Sequence, residues 1–113
     1  MTAIASPKRG WHVLPIAAIA GMLFANALPH TIAGPLILWL PTPFSGGPGT
    51  LSSPMVNVLW GLSNIAIGAW LVRVIRPWTN DPGVRWTMVI AAAAFLVFLT
   101  WAIGSLPLPG RFR

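Results

Sequence analysis

The stretch that decides the fold is PMVNVLWGLSNIAIGAWLVRVIR, residues 54–76. It is an apolar run long enough to cross a bilayer, and small or polar residues recur along it as Asn57, Gly61, Asn64 and Gly68. On a helix this spacing keeps all four on one face, within a sector of about 60°. An amide at membrane depth needs a partner, and a glycine lets a second backbone come close. We therefore predict that the other helices pack against this one.

The composition of the chain indicates a membrane protein. Its 113 residues are 56% hydrophobic and only 7% charged, whereas about a quarter of the residues of a soluble domain are charged. Seven Lys and Arg against a single acid give a net charge of +6. These cations flank apolar runs, which is typical of membrane-flanking charge and does not indicate nucleic-acid binding. With no cysteine, the chain has no disulfide and no thiolate metal site.

Three spans are predicted within a single membrane domain, residues 1–113. They cover about residues 11–28, 54–76 and 85–106. The first is the shortest, and its length of about 27 Å is just sufficient for a hydrocarbon core of about 30 Å. The predicted fold class is therefore all-α: an integral membrane three-helix bundle with a long Pro/Gly-rich loop between helices 1 and 2.

Local signals set the expected ends of the spans. Pro29 disfavours helix at the residue before it, so the first span is expected to end at Leu28. Ser53 and Asp81 each stand directly before a proline. A cap residue followed by proline is the usual beginning of a helix, so these pairs are expected to start the second and third spans.

The loop between the first two spans, residues 29–53, contains five prolines and four glycines, which exclude a continuous helix. Its apolar piece, residues 36–40, is too short to cross a membrane. The sequence leaves open whether this piece lies in the interface with Trp39 as an anchor or re-enters the membrane. We expect the loop to fold back over the bundle and to bond with Asn26 and Asn57.

The cations predict an orientation in the membrane. With three spans, the N-terminus and the 77–84 connection share one side, which holds five of the seven Lys and Arg. This bias predicts a cytoplasmic N-terminus and an outside C-terminus. Two alternatives stay open: a signal peptide cleaved near residues 25–27, and a fourth, short span.

One polar constellation is predicted, at the outer ends of the spans. Its candidate binding residues are Asn26, His30, Ser53, Asn57 and Asn64. The asparagines are interpreted either as residues that hydrogen-bond one helix to another or as a face that binds a ligand or partner. His30 is interpreted as an interfacial histidine in contact with water, with ligation of a tetrapyrrole as the alternative. Because Pro29 precedes it, we do not expect His30 to continue the helix that carries Asn26.

Small residues indicate where the helices approach each other. Ala17, Gly21 and Ala25 form a ridge of small residues at every fourth position of the first span. Gly61 and Gly68 occupy the stripe of the second span. Such residues allow close approach of helix backbones, so we predict that all five lie in helix packing contacts.

Several classes of function lack their usual residues. No Asp, Glu, Lys or Arg occupies the middle of a predicted span, whereas proton-coupled pumps and cation exporters normally need such a group. The chain also has no catalytic motif of a hydrolase or metalloprotease and no phosphate-binding loop. We therefore predict a protein that is not an enzyme, with no catalytic residue, no metal and no cofactor.

Three short motifs suggest a family. They are NALPH at residues 26–30, PTPF at 41–44 and the pattern SSPxVNVLWGLxN at 52–64. In this order they resemble a group of small, predicted three-span bacterial membrane proteins of unassigned function. The resemblance implies no activity, but it points to the same polar constellation.

The sequence thus leaves three hypotheses for function. The first is a non-catalytic accessory or structural subunit that packs through the Asn/Gly stripe in a homo-oligomer or a larger membrane complex, surrounded by the lipid bilayer. The alternative is a homo-oligomeric transporter or channel for a small solute, with Asn57 and Asn64 lining the path. The second alternative is a pigment- or haem-binding subunit that uses His30.

Overall fold

The structure is a computed structural model that describes residues 7–46 and 50–105. Within these ranges the chain is helical, with α1 (Val13–Ala33), α2 (Pro54–Val74), a single 3-10 turn (Arg76–Trp78) and α3 (Pro82–Ser105). By length and composition, each of the three α-helices is long and apolar enough to cross a membrane. The prediction of an all-α chain with three such helices is confirmed.

Helix α1 is longer than predicted. It does not end at Leu28 but continues through Pro29 to Ala33, so the connecting loop begins at Gly34 and not at residue 29. The prediction of a break at Pro29 is wrong because a proline removes one backbone hydrogen bond, which neighbouring groups can compensate in an apolar helix. The carbonyl that loses its helical partner is that of Ala25, four residues before Pro29. In the next turn the Thr31 hydroxyl adds hydrogen bonds to the carbonyl oxygens of Ala27 and Leu28, at 2.7 and 3.2 Å.

Helix α2 begins at Pro54, as predicted. The beginnings of α1 and α3 and the end of α2 differ from the prediction by two or three residues, which is close to the usual uncertainty of such boundaries. The two predicted caps are present. The Ser53 hydroxyl accepts a hydrogen bond from the backbone N–H of Val56, at 3.3 Å. The Asp81 carboxylate accepts one from the N–H of Gly83, at 2.8 Å. Residue 106, the predicted end of the third span, lies outside the described residues.

Helix α1 lies between the other two. Both α2 and α3 pack along α1, and they make little contact with each other. The prediction that the second span is the central helix is therefore wrong. Helix α1 buries eight residues, most of them Ala or Gly on more than one face, and so accepts a neighbour on two sides. The buried residues of α2, Asn57, Gly61, Asn64 and Gly68, occupy one face only.

The three helices meet most closely at one end, which we call the basic end because Arg9, Arg73, Arg76 and Arg85 lie there. Val13 and Ala17 of α1 are fully buried there against Val84 of α3 and the residue after α2, Ile75. The segment before α1 also packs at this end, since the carbonyl of Pro7 accepts a hydrogen bond from the Trp78 indole at 2.8 Å. Arg9 and Asp81 form an ion pair with an N–O distance of 3.2 Å.

The connection from α1 to α2 starts with an unusual cap. The N–H of Ile37 donates to the carbonyl of Gly34 at 2.9 Å, and that of Leu38 donates to the carbonyl of Ala33 at 2.8 Å. This pair of bonds is a Schellman motif, whose left-handed position is usually a glycine. Here that position is Ile37, with φ of 55°. A β-branched residue in this conformation is strained.

Candidate functional site

The interface between α1 and α2 contains two polar side-chain pairs. His30 Nδ1 lies 2.6 Å from Asn57 Oδ1, and Asn26 Nδ2 donates to Asn64 Oδ1 at 3.1 Å. The helices run antiparallel, so two residues one turn apart on α1 face two residues about two turns apart on α2. The extension of α1 past Pro29 is what places His30 opposite Asn57.

The amide of Asn57 has a fixed orientation. Its Nδ2 group donates toward three backbone carbonyls, those of Leu40 at 3.2 Å, Ser52 at 3.0 Å and Ser53 at 3.0 Å. Carbonyl oxygens only accept, so Oδ1 must be the atom that faces His30. His30 therefore carries a hydrogen on Nδ1, and in its neutral form the lone pair is on Nε2. Asn57 is fully buried and His30 is 3% exposed.

Hydroxyl groups hold the loop over this pair. Ser52 Oγ lies 2.6 Å from the hydroxyl of Thr42 and 2.8 Å from that of Ser45. Ser52 also pairs with Leu40 in an isolated antiparallel bridge, with its N–H donating to the Leu40 carbonyl at 3.0 Å. These bonds bring the middle of the loop, at Leu40, and its end, at Ser52, to Asn57, which ties them to α2.

Asn26 does not bond the loop, which corrects the expectation that it would. Its amide pairs with Asn64, one helical turn farther from the loop than His30. Asn64 in turn donates to the carbonyl of Trp60 at 2.7 Å, a bond within its own helix. Asn64 is 1% exposed, so its polar atoms are used inside the protein.

The predicted packing residues are all buried. A Cβ at Gly61 would lie 2.9 Å from the backbone nitrogen of Thr31 on α1, and one at Gly21 would overlap the backbone carbonyl of Met88 on α3. At Gly68 it would lie 3.0 Å from the ring of Phe24. Ala17 is fully buried and Ala25 is 2% exposed. Glycine is therefore needed at Gly21 and Gly61, where the helix backbones come closest.

The structure brings four of the five candidate binding residues into two pairs: His30 with Asn57, and Asn26 with Asn64. Ser53 caps α2, and its carbonyl rather than its hydroxyl contacts Asn57. Ser45, which also bonds Ser52, was not predicted as part of the site. No sequence signal identifies it, because its role depends on the path of the loop.

The chemistry of this site is hydrogen bonding among amide, hydroxyl and imidazole side chains and backbone carbonyls. Among the described residues, every buried side-chain nitrogen or oxygen has a hydrogen-bond partner. In the same part of the chain, no group of three or more His, Cys, Asp or Glu could hold a metal ion. The arrangement can join α1, α2 and the loop without any charged group.

Comparisons with known proteins do not add a function to this geometry. The chain matches no family model, no curated protein and no solved structure. The resemblance to small three-span bacterial membrane proteins therefore stays a prediction.

Proposed function

We propose that this protein is a non-catalytic integral membrane protein that serves as an accessory or structural subunit of a membrane assembly, either a homo-oligomer or a larger complex. The observation that carries the proposal is the self-contained polar network of α1, α2 and the loop. Because these groups bond each other and the loop backbone, they fix a rigid shape, and every buried side-chain nitrogen or oxygen of the described residues has a hydrogen-bond partner.

The network also argues against the two alternative functions, a small-solute transporter or channel and a pigment- or haem-binding subunit. Asn57 and Asn64 are 0% and 1% exposed, so neither offers an amide to a solute passing the chain. The Nδ1 bond of His30 does resemble that of a ligating histidine, whose other nitrogen binds the metal. However, a side chain that is 3% exposed offers no open face to a macrocycle.

The Asn/Gly stripe is occupied by α1, so it does not serve as the contact with a partner. We assign that contact to the apolar segment 36–39 of the loop. Its side chains are exposed, and that of Ile37 is 76% exposed although the backbone there is strained. Strain of this kind costs about 1–3 kcal/mol and is characteristic of functional positions. Glycine would form the same cap without the strain, which supports a role for the isoleucine side chain.

The orientation belongs to the same proposal. We place the basic end in the cytoplasm of a bacterial cell, since five of the seven Lys and Arg of the chain lie near it. The loop between α1 and α2 then lies on the outer side of the inner membrane, where segment 36–39 meets its partner at the level of the outer headgroups. Reporter fusions to the loop and to the N-terminus test this orientation.

The test of the proposed function is purification of the full chain from its native membrane in a mild detergent, followed by native mass measurement. We expect a discrete assembly larger than one chain. Leu36→Ala and Ile37→Gly should each weaken it, and Ile37→Gly should not lower the thermal stability of the isolated protein. Leu62→Ala, an equal truncation at an exposed site of α2, is the matched control and should leave the assembly intact.

Two results would contradict this proposal. A wild-type chain that is extracted only as a monomer, with no stoichiometric partner, would show that it is not a subunit. Equal weakening by Leu36→Ala and Leu62→Ala would show that segment 36–39 is not the specific contact.

A further inference from the structure

A long apolar groove runs between α1 and α3. Its first part, of about 410 Å³, is lined by Arg85 and Val89 of α3 and by Gly21 and Phe24 of α1. The groove continues into a second part of about 440 Å³, which shares Phe24 and Ala92 with the first. A third part of about 480 Å³ shares Leu28 and Leu96 with the second and extends to Thr100 and Ile103. From Arg85 to Leu96 alone, the helical rise gives a length of about 16 Å.

Among the described residues that line the groove, one is charged, Arg85 at the basic end. The Arg85 guanidinium donates from Nε to the carbonyl of Thr79 at 2.9 Å and from Nη2 to Asn80 Oδ1 at 2.8 Å. These two bonds hold the group at the opening of the groove and leave three of its five N–H donors for another acceptor. Both partners are neutral, so the positive charge is not compensated by them.

No acidic side chain of the protein is available to Arg85. The chain has one acid, and this residue, Asp81, already caps α3 and pairs with Arg9 at 3.2 Å. Asp81 is thus engaged elsewhere, and the Arg85 guanidinium is open to an anionic group of another molecule.

The order of chemical groups along the groove matches one kind of molecule. A cation at the end of a membrane-spanning helix lies at the level of the lipid headgroups, and the groove below it is lined almost entirely by carbon. A phospholipid presents a phosphate at that level and an acyl chain below. Basic sites between helices at the cytoplasmic side are known positions for anionic lipid headgroups.

We propose that the α1–α3 groove binds one anionic phospholipid, with its phosphate on Arg85 and an acyl chain along Val89, Ala92 and Leu96. Helix α3 approaches α1 closely near Gly21, and the lipid fills the groove that remains open beside this contact. This site is separate from segment 36–39, and it depends on membrane insertion but not on the subunit role.

The test uses the purified full chain in detergent and counts retained lipid by native mass spectrometry, with phosphatidylglycerol and phosphatidylcholine as probes. We expect one retained phosphatidylglycerol per chain and little phosphatidylcholine. Arg85→Gln should lower phosphatidylglycerol retention about fivefold, the factor expected for one cation near a membrane surface. Arg73→Gln removes an exposed cation at the same end and should have little effect.

A second pair of variants tests the groove itself. Ala92→Phe places a ring in the two parts of the groove that share Ala92 and should abolish retention. Ala94→Phe places the same ring on an exposed position outside the groove and should not. Circular dichroism checks that each variant keeps its helices.

Four results would overturn the proposal. They are equal retention of the two lipids, equal losses in Arg85→Gln and Arg73→Gln, unchanged retention in Ala92→Phe, and displacement of the lipid by millimolar inorganic phosphate. The first two indicate nonspecific surface lipid or diffuse charge, the third a site elsewhere, and the last a site for a free anion.

Discussion

Replacing Asn57 by leucine should be far more damaging than the same change at Asn64, although the two residues look equivalent in the sequence. Asn57→Leu removes the bonds to His30 and to three loop carbonyls. Two of those carbonyls keep a partner, since Leu40 still accepts from Ser52 and Ser53 still accepts from the backbone of residue 57. The His30 ring and the Ser52 carbonyl lose the only hydrogen-bond partners that they have among residues 7–46 and 50–105.

These two groups set the expected magnitude. Each belongs to a buried residue, and an unsatisfied buried polar group costs about 1–3 kcal/mol. The free energy of unfolding should therefore fall by about 2–6 kcal/mol in Asn57→Leu. In Asn64→Leu the affected Asn26 amide is only half-buried and can find another partner. The expected loss there is about 0.6–1.7 kcal/mol, the range measured for hydrogen bonds between membrane helices.

Reversible unfolding by SDS in mixed micelles, followed by circular dichroism, measures both values. A double-mutant cycle of His30→Leu with Asn57→Leu should give a coupling energy of about 0.5–3 kcal/mol, because the double variant removes both members of the buried pair. An equal or larger loss in Asn64→Leu would refute the reasoning. A coupling energy near zero would refute the assigned His30–Asn57 bond.

Two further predictions concern the basic end and the α1–α3 contact. Gly21→Ala should separate α1 from α3, because its Cβ would overlap the Met88 carbonyl. The free energy of unfolding in the same assay should fall by at least about 1 kcal/mol. Gly104→Ala is the control: a Cβ there meets no atom within 4 Å, so the free energy of unfolding should stay unchanged or rise by up to about 1 kcal/mol. Trp78→Phe should remove the bond to the Pro7 carbonyl and raise amide hydrogen exchange in the residues before α1; unchanged exchange there would contradict the role of this bond.

The sequence by itself determined the number of helices, the beginnings of two of them and the buried face of α2. Apolar length predicts three helices, and the caps at Ser53 and Asp81 set where two of them begin, because these are local properties of the chain. The spacing of Asn57, Gly61, Asn64 and Gly68 was enough to place them on one face. That all four are buried follows from this spacing together with a neighbouring helix.

Only the tertiary structure decided which helix covers that face and which atoms meet. A periodic stripe identifies a face but not its partner, so the sequence did not reveal that α1 is the middle helix. Nor did it give the three loop carbonyls around Asn57, since backbone groups have no signature in the residue pattern and their position depends on the path of the loop. The tertiary structure also decided that α1 continues through Pro29. The local preference of proline against a helix is outweighed by packing and by the bond between His30 and Asn57. That bond forms only once α1 and α2 are side by side.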